Sequence, residues 1–339
     1  MKRTMGMGFA AACLFSSATA VAQEAIPADV TEKKVLAEPK AEAPQGWKYK
    51  LSLGATGSYN HSSNVVGSVD GSTVQLGLIV TGAADWTSGA HAWENALKVT
   101  ETQTRTPTVD PFIKSADELA LQTTYLFRIP GYEMIGPFAR ASLSTQVFES
   151  YDVRITDTTV RRIDRDGATS DEVVPAEERI ELAKPFEPLL VKESLGAFAN
   201  PVAKPAITVK TKLGAGLQHI FVRDGYKLQD DGATAELELV QHESSTQGGA
   251  EAEAEATGAL AENVTYAAKA TFFYPLYTSV ETDLDGVELL TTDFSAKLSV
   301  RLAKWASLAD GLAAKKIPLI LDEWQVSQGV MLTAGFDLL

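Results

Sequence analysis

Thr73-Val-Gln-Leu-Gly-Leu-Ile-Val-Thr-Gly-Ala-Ala-Asp-Trp86, followed by Thr-Ser-Gly-Ala-His91 and by Ala92-Trp-Glu-Asn-Ala-Leu-Lys-Val-Thr100, is the stretch whose reading decides the fold. Val74, Leu76, Leu78, Val80, Ala84 and Trp86 fall on one side of an extended chain, and Thr73, Gln75, Gly77, Thr81 and Asp85 on the other. After the turn, Trp93, Leu97 and Val99 alternate with Glu94, Lys98 and Thr100. A period of two is the mark of a strand with two unlike faces. These strands are long, their apolar face ends in Trp, and their second face is polar or small. That is the pattern of a transmembrane β-barrel hairpin, apolar outside and polar inside.

The same alternation recurs along the chain. It predicts strands over Trp47–Tyr59, the two of the hairpin, one around Leu119–Phe127, one around Ala139–Val147 and a weaker one over Phe186–Phe198 that Pro188 interrupts. Further strands follow over Ile207–Phe221, Ala233–Gln241, Gly249–Leu260, Val264–Tyr274, Leu290–Leu302 and Val326–Leu338. The expectation is an all-β, antiparallel, up-and-down transmembrane barrel of about twelve strands, within a range of ten to fourteen. An even number returns the last strand to the side where the first began. Asn60–Ser72 and Arg105–Ala116 read as loops, and Asn200–Pro205 as a turn. Asp152–Lys184, dense in Asp, Glu and Arg, reads as an outer loop or a constriction of the lumen. Trp305, Leu308 and Leu312 share one face of a short helix predicted over Ala303–Lys316.

The chain opens with the features of a secretory signal peptide over residues 1–22. Lys2 and Arg3 precede an apolar run from Met5 to Ala18, and Ala20-Val-Ala22 is a small-x-small cleavage site. Residues 23–45, rich in Ala, Glu, Pro and Lys, read as a disordered periplasmic linker, which leaves 46–339 for the barrel. Cleavage after Ala22 removes the single cysteine, Cys13, and two cations, taking the net charge from −14 to −16. A mature chain so acidic and without thiols is unsuited to nucleic acid and to thiolate metal sites. No stretch reaches the ~18 consecutive apolar residues of a membrane helix.

Trp93-Glu-Asn95, Asp117-Glu-Leu-Ala-Leu-Gln-Thr-Thr-Tyr125 and Ser144-Thr-Gln-Val-Phe-Glu-Ser-Tyr151 resemble a family of uncharacterised bacterial outer-membrane β-barrels, whose successive strands carry Trp-x-Asn, Asp-x-Leu-x-Leu and Gln-Phe motifs. Leu190–Gly196 and Lys212–Gln218 are similar to its later strands, so the resemblance covers roughly residues 47 to 220. It implies the bacterial outer membrane as location, with lipid, lipopolysaccharide and the barrel-assembly machinery as partners. It implies no established activity, so no catalytic residue carries over. The ending Phe336-Asp-Leu-Leu339 departs from the terminal aromatic of many such barrels.

Chemistry concentrates on the polar faces. Glu236, Glu238, Glu251, Glu253 and Glu255 are expected to face the lumen, flanked by Lys210 and Lys212 before them and Lys269 after, a Lys–Glu–Glu–Lys order across four strands. Lys98, Arg128, Arg140 and Lys192 would set a basic arc against that acidic one. Three readings compete: cross-strand pairs that fill a narrow interior, opposed arcs that filter charged solutes, and a carboxylate cluster that binds calcium. His61, His91, His219 and His242 are the only histidines, and none stands in a recognisable nucleophile or metal motif. The expectation is therefore no enzyme, no cofactor and no metal, but a passive narrow pore or a structural or surface-binding barrel of unknown oligomeric state. The alternative is a soluble periplasmic β-barrel that buries its apolar rows around a small ligand.

Overall fold

The computed structural model describes residues 45–62, 71–108, 111–204, 206–228, 234–282, 284–318 and 321–337, with backbone alone for 58–62 and for most of the last segment. The signal peptide expected over 1–22, and the linker expected over 23–45 except Gln45, lie outside the described residues, as do the outermost residues of the first loop.

Twelve antiparallel strands close into a barrel. In chain order they are β1 (Gly46–Ser62), β2 (Gly71–Ser88), β3 (His91–Arg105), β4 (Ile113–Phe127), β5 (Ile135–Thr145), β10 (Leu189–Lys204), β11 (Ile207–Phe221), β14 (Ser245–Ala261), β15 (Val264–Thr278), β16 (Thr291–Ala303), β17 (Ala306–Ile317) and β18 (Leu321–Asp337). Pairing of Leu53 with Phe336 and of Ala55 with Ala334 seals β1 to β18. Six shorter strands lie in the connections: β6 (Ser150–Val153), β7 (Thr158–Ile163), β8 (Thr169–Val174), β9 (Arg179–Ala183), β12 (Tyr226–Leu228) and β13 (Leu237–Gln241).

The apolar rows point outward. Leu76 and Leu78 are 55 % and 50 % exposed, and Leu195 and Leu213 are both 67 % exposed. A soluble barrel would turn these rows inward, so the outward set decides between the two barrels the alternation allowed. No helix among the described residues is long and apolar enough to cross a membrane, and closure leaves no unpaired barrel edge. Closed barrels and helices are the two structures that satisfy every backbone group in lipid. The fold is thus a transmembrane up-and-down barrel.

The barrel has two unlike ends. At one, β2–β3, β14–β15 and β16–β17 are joined by two-residue turns. Aromatic side chains ring that end: Trp47 stacks on Tyr49 at 5.8 Å and meets Trp93 at 5.9 Å. The Trp93 indole donates to Thr123 Oγ1 at 2.6 Å, and Thr123 donates to Asn95 Oδ1 at 2.8 Å. Asn95 Nδ2 in turn donates to the Ala84 carbonyl at 2.7 Å, completing a backbone acceptor on the outward face. The Trp-x-Asn motif is therefore a device for satisfying polar groups at an interface. At the other end most connections are long, β17–β18 being the short exception, and two of the long ones fold.

The sequence expectations need correction in three places. Ala306–Ile317, expected as part of a helix, is the barrel strand β17. Ala309, Gly311 and Ala313 take its inward positions and Leu308 and Leu312 its outward ones. Leu308 and Leu312 are four apart, a spacing that suits a strand face as well as a helix face, and alanines on both faces erase the contrast. Asn200–Pro205 is not a turn, because β10 continues to Lys204. Pro201 sits at a bulge between Ala199 and Val202, where its missing N–H costs no ladder bond. The segment expected as strand eight is not a barrel strand at all. Among its described residues only Leu237–Gln241 is extended, as β13, and it pairs outside the barrel. The expected number of twelve strands holds because the missed β17 replaces it.

β13 belongs to a cap over the long-loop end. It pairs in parallel with β7 and antiparallel with β12, and β8 completes a four-stranded sheet beside the β6–β9 pair. Val160, Val174, Ile180, Leu182, Leu237 and Leu239 form its buried core. Asp152–Lys184, expected as a loop or a constriction, is most of this folded cap. Its β7–β8 hairpin turns at Gly167, whose φ of 82° suits glycine, and Gly167 N donates to the Asp164 carbonyl at 2.9 Å.

Two connections supply the cap, and side chains stitch them together. Arg165 donates to the carbonyls of Val222, Arg223 and His242 at 3.1, 2.9 and 2.7 Å. Glu187 accepts from Arg223 N at 2.6 Å, and Lys184 meets Asp224 at 2.9 Å. That exposed pair lowers the Asp224 pKa and raises that of Lys184, each chiefly through their hydrogen bond. His242 is the titrating weak point. Burial, then the charge of Lys227, lowers its pKa from the ordinary value of 6.5, with Arg165 acting in the same direction and Glu243 against it. A histidine with a lowered folded pKa contributes stability in full above the unfolded value of about 6.5, and that contribution is lost as the pH falls through the lowered folded value. The cap is therefore expected to become more susceptible to added protease between pH 7 and pH 5. His242→Gln should flatten that change, and an identical pH profile in the variant would remove His242 from the explanation.

On the inward face, β10 and β11 approach at Gly196 and Gly214, which are paired in register. A Cβ on Gly214 would lie 2.2 Å from the Leu195 carbonyl oxygen, and one on Gly196 2.2 Å from that of Leu213. Backbone cannot yield as a side chain can, so Gly214→Val is expected to block formation of the compact, fast-migrating form on unheated gels. Gly57→Ala, whose Cβ would meet nothing nearer than 3.8 Å, should fold normally. Equal refolding yields for the two variants would contradict the close approach.

Candidate functional site

Alternation puts charges inside the barrel, and the strand register brings them together. Lys210 on β11 lies opposite Glu255 on β14, which lies opposite Lys269 on β15. One step away, Lys212 lies opposite Glu253 and donates to it at 2.7 Å. Lys269 Nζ approaches Glu253 from the other side at 3.3 Å. Arg140 reaches these strands from β5 across the lumen, donating to Glu253 at 2.5 Å and pairing also with Glu251. The side chains of Arg140, Glu251 and Glu253 are all less than a tenth exposed. Elsewhere on the wall Lys98 pairs with Glu118 at 2.8 Å, and Lys315 lies 3.8 Å from Asp293.

Of the residues expected in the lumen, Lys98, Arg140, Lys210, Lys212, Glu251, Glu253, Glu255 and Lys269 are brought together. Glu236 and Glu238 are not. They lie beside Leu237 and Leu239 in the cap, where Glu236 meets Arg161 at 3.2 Å and Glu238 is in register with Arg161. Arg161 is also held by Asp171, whose hydrogen bond raises the Arg161 pKa and lowers that of Asp171. The alternation of Glu with Leu was sound, but it defines two faces and not which sheet they belong to. The four-strand Lys–Glu–Glu–Lys order becomes a three-strand Lys–Glu–Lys order. Nor do an acidic and a basic arc oppose each other, since the carboxylates interleave with cations that offset their burial. Arg128 follows β4 at the short-turn end, where its N–H donates to the Ala90 carbonyl at 2.7 Å.

The charged wall encloses a cavity of about 140 Å³ at mid-height. It is lined by Lys50, Lys98, Lys192, Lys210, Lys212, Lys269 and Lys315, against the acids Asp85, Glu94, Glu253 and Glu255. A second, smaller space of about 10 Å³ lies between Arg140, Gln218, Glu251, Thr271, Thr291 and Asp293. That is about the room one water needs. Gln218 Oε1, Thr271 Oγ1 and Thr291 Oγ1 are buried there without a protein partner, and Ser144 Oγ is so in the cavity wall. Buried polar atoms of this kind are completed by water or solute. Lys50 and Lys315 join the expected site residues: Lys315 stands on a strand whose alanines hide its alternation, and Lys50 takes the polar face that alternation gives the first strand.

The histidines are dispersed. The His61 side chain lies outside the described residues. His91 shares a 2.5 Å hydrogen bond with the Tyr125 hydroxyl in the aromatic ring at the short-turn end. His219 faces outward against Thr246 Oγ1 at 3.0 Å, and His242 is in the cap.

Two of the motifs that carry the resemblance, those of Asp117 and of Gln146–Phe148, meet at the long-loop rim. Where β5 ends and the chain leaves β4, the Asp117 carboxylate accepts from Val147 N and Phe148 N at 2.8 and 2.7 Å. Lys114 Nζ closes the arrangement, donating to Asp117 at 3.0 Å, to Gln146 Oε1 at 3.3 Å and to the Phe148 carbonyl at 3.1 Å. A buried carboxylate thus takes the place of the strand that has peeled away.

No family model matches this chain, and no curated protein matches it. Among solved structures it is similar to an outer membrane channel from Pseudomonas putida F1, at 10 % identity and a TM-score of 0.39, over 87 % of this chain and 96 % of that one. It is similar to the translocator domain of the autotransporter NalP from Neisseria meningitidis, at 10 % identity and a TM-score of 0.40, over 87 % and 89 % of the two chains. It is also similar to the beta domain of the Bordetella autotransporter BrkA, at 12 % identity and a TM-score of 0.32, over 86 % and 98 %.

Proposed function

We propose that this chain is a passive outer-membrane β-barrel, a narrow pore with a charged lumen, exported by its first 22 residues and tethered on the periplasmic side by residues 23–45. The observation that carries the reading is the division of the same strands into an apolar outer face and a charged inner one. Short turns then face the periplasm and the cap faces outward, as is usual for such barrels. The motif resemblance over residues 47 to 220 supports the same location. Lipid and lipopolysaccharide contact the wall, the assembly machinery inserts it, and no step of catalysis is assigned to it.

Heat-modifiable gel mobility of the detergent-extracted outer-membrane fraction tests the location, and planar-bilayer conductance tests the pore. A fast-migrating folded band confined to that fraction, with small discrete conductance steps, is the expected result. Recovery from the osmotic-shock supernatant with ordinary mobility would overturn the membrane reading.

A further inference from the structure

We propose that the outer wall formed by β10 and β11 is an interface on which a second copy of this chain docks, side by side in the membrane. The inference rests on the membrane-spanning fold and not on conduction, so it stands or falls apart from the pore reading. It starts from a charge on the wrong face. Along β10, Lys192 lines the lumen and Ser194 is buried, while Glu193 shares the outward row with Leu195. Its register partners on the neighbouring strands are Ala141 and Leu217. Glu193 is exposed, and no ion pair or hydrogen bond holds its side chain among the described residues. Phe221, opposite Leu189, marks the long-loop edge of the apolar band with an exposed ring. Four residues further along a tilted strand put Glu193 roughly 10 Å inside that edge. An ionisable side chain turned to lipid at such a depth marks a place where another group meets it.

The patch carries its own complement. His219 is diagonal to Glu193, since Val191 pairs with His219 and Glu193 with Leu217. Its Nδ1 lies 3.0 Å from Thr246 Oγ1, and its ring stacks on Phe221. With the Thr246 hydroxyl donating to Nδ1, the ring proton sits on Nε2, a donor that has no acceptor among the described residues. An acceptor and a donor side by side on one face are what a two-fold interface uses twice, each copy's Glu193 meeting the partner's His219. The relief of the wall suits the same arrangement. Leu195 stands between Ala139 and Ala215, and Leu213 between Ala197 and Ala252, so each ridge has hollows beside it. Asp310 on β17 also points outward, but its register partners Leu298 and Val330 are apolar and it has no such complement.

Sedimentation of the folded full-length chain in a mild detergent, over a range of protein-to-detergent ratios, tests the interface. The expected result is a reversible equilibrium between monomer and dimer. Glu193→Leu and His219→Leu should each raise the dimer dissociation constant at least tenfold while keeping the folded gel mobility, and Asp310→Asn should leave it unchanged. The swap of Glu193→His with His219→Glu keeps one acceptor and one donor on each face. It should therefore recover most of the association that either half of the swap loses alone. A folded chain that stays monomeric at every ratio would overturn the proposal. So would a dimer indifferent to Glu193 and His219, or one that Asp310→Asn weakens equally. Co-purification of an amine-bearing phospholipid with a strictly monomeric chain, abolished by Glu193→Leu, would assign the patch to a lipid headgroup instead.

Discussion

Replacing Arg140 with methionine is expected to raise bilayer conductance severalfold and to destabilise the barrel by about 3–5 kcal/mol at once. Both effects follow from one position. The guanidinium reaches from β5 to β14 inside the barrel and borders a space of about 10 Å³ beside the main cavity. Removing it strands unequal partners. Glu253 keeps Lys212 and Lys269, whereas Glu251 loses the cation it meets in a nearly dry site. The cost therefore falls on Glu251, so the double variant Arg140→Met with Glu251→Gln should recover most of the stability while conductance stays high. Arg140→Lys should not substitute, because an ammonium cannot serve two carboxylates through a planar fork. Urea unfolding monitored by gel mobility gives the stability, and single-channel recording gives the conductance. Unchanged conductance in the double variant would show that Arg140 does not close the lumen.

The second large effect is expected at the rim. Asp117→Ala removes an acceptor for two backbone N–H groups and the partner of a mostly buried lysine, at a cost of about 3–5 kcal/mol. Asp117→Asn keeps the shape and one acceptor but loses the charge opposite Lys114, so it should cost less. The damage should concentrate where β5 leaves the wall. Hydrogen exchange at Val147 and Phe148 is expected to accelerate in the alanine variant while the β1–β2 amides stay protected. Uniform acceleration around the barrel would instead assign Asp117 to global stability.

These residues also show how far the sequence could be read. Strand alternation located ten of the barrel strands outside the weak Phe186 segment and the missed β17, and the Trp-x-Asn and Asp-x-Leu-x-Leu motifs marked positions with identifiable physical work. Alternation depends on contrast, however. Where Ala309, Gly311 and Ala313 face inward there is none, and β17 was hidden. Partnership is a separate matter: Leu237 and Leu239 alternate with their glutamates as a barrel strand would, but β13 finds β7, far away in sequence. Alternation alone places Lys98, Arg140, Lys210, Lys212, Glu251, Glu253, Glu255 and Lys269 on inward faces, but it also assigns Glu236 and Glu238 there, and these lie in the cap. The interleaving of the lumen charges was not legible, because Arg140 meets Glu251 and Glu253 across the barrel interior rather than along a ladder.

The parallel pairing of β7 with β13 has a consequence for the order of assembly. Arg165 and His242, joined at the edge of that pair, are 77 residues apart, and β10 and β11 lie between them. Contacts of such long range carry a loop-closure cost that falls only after the intervening chain has been ordered. The cap is therefore expected to mature after β10 and β11 have come into register, so that protection of its amides would be a clock that starts when that side of the wall is complete.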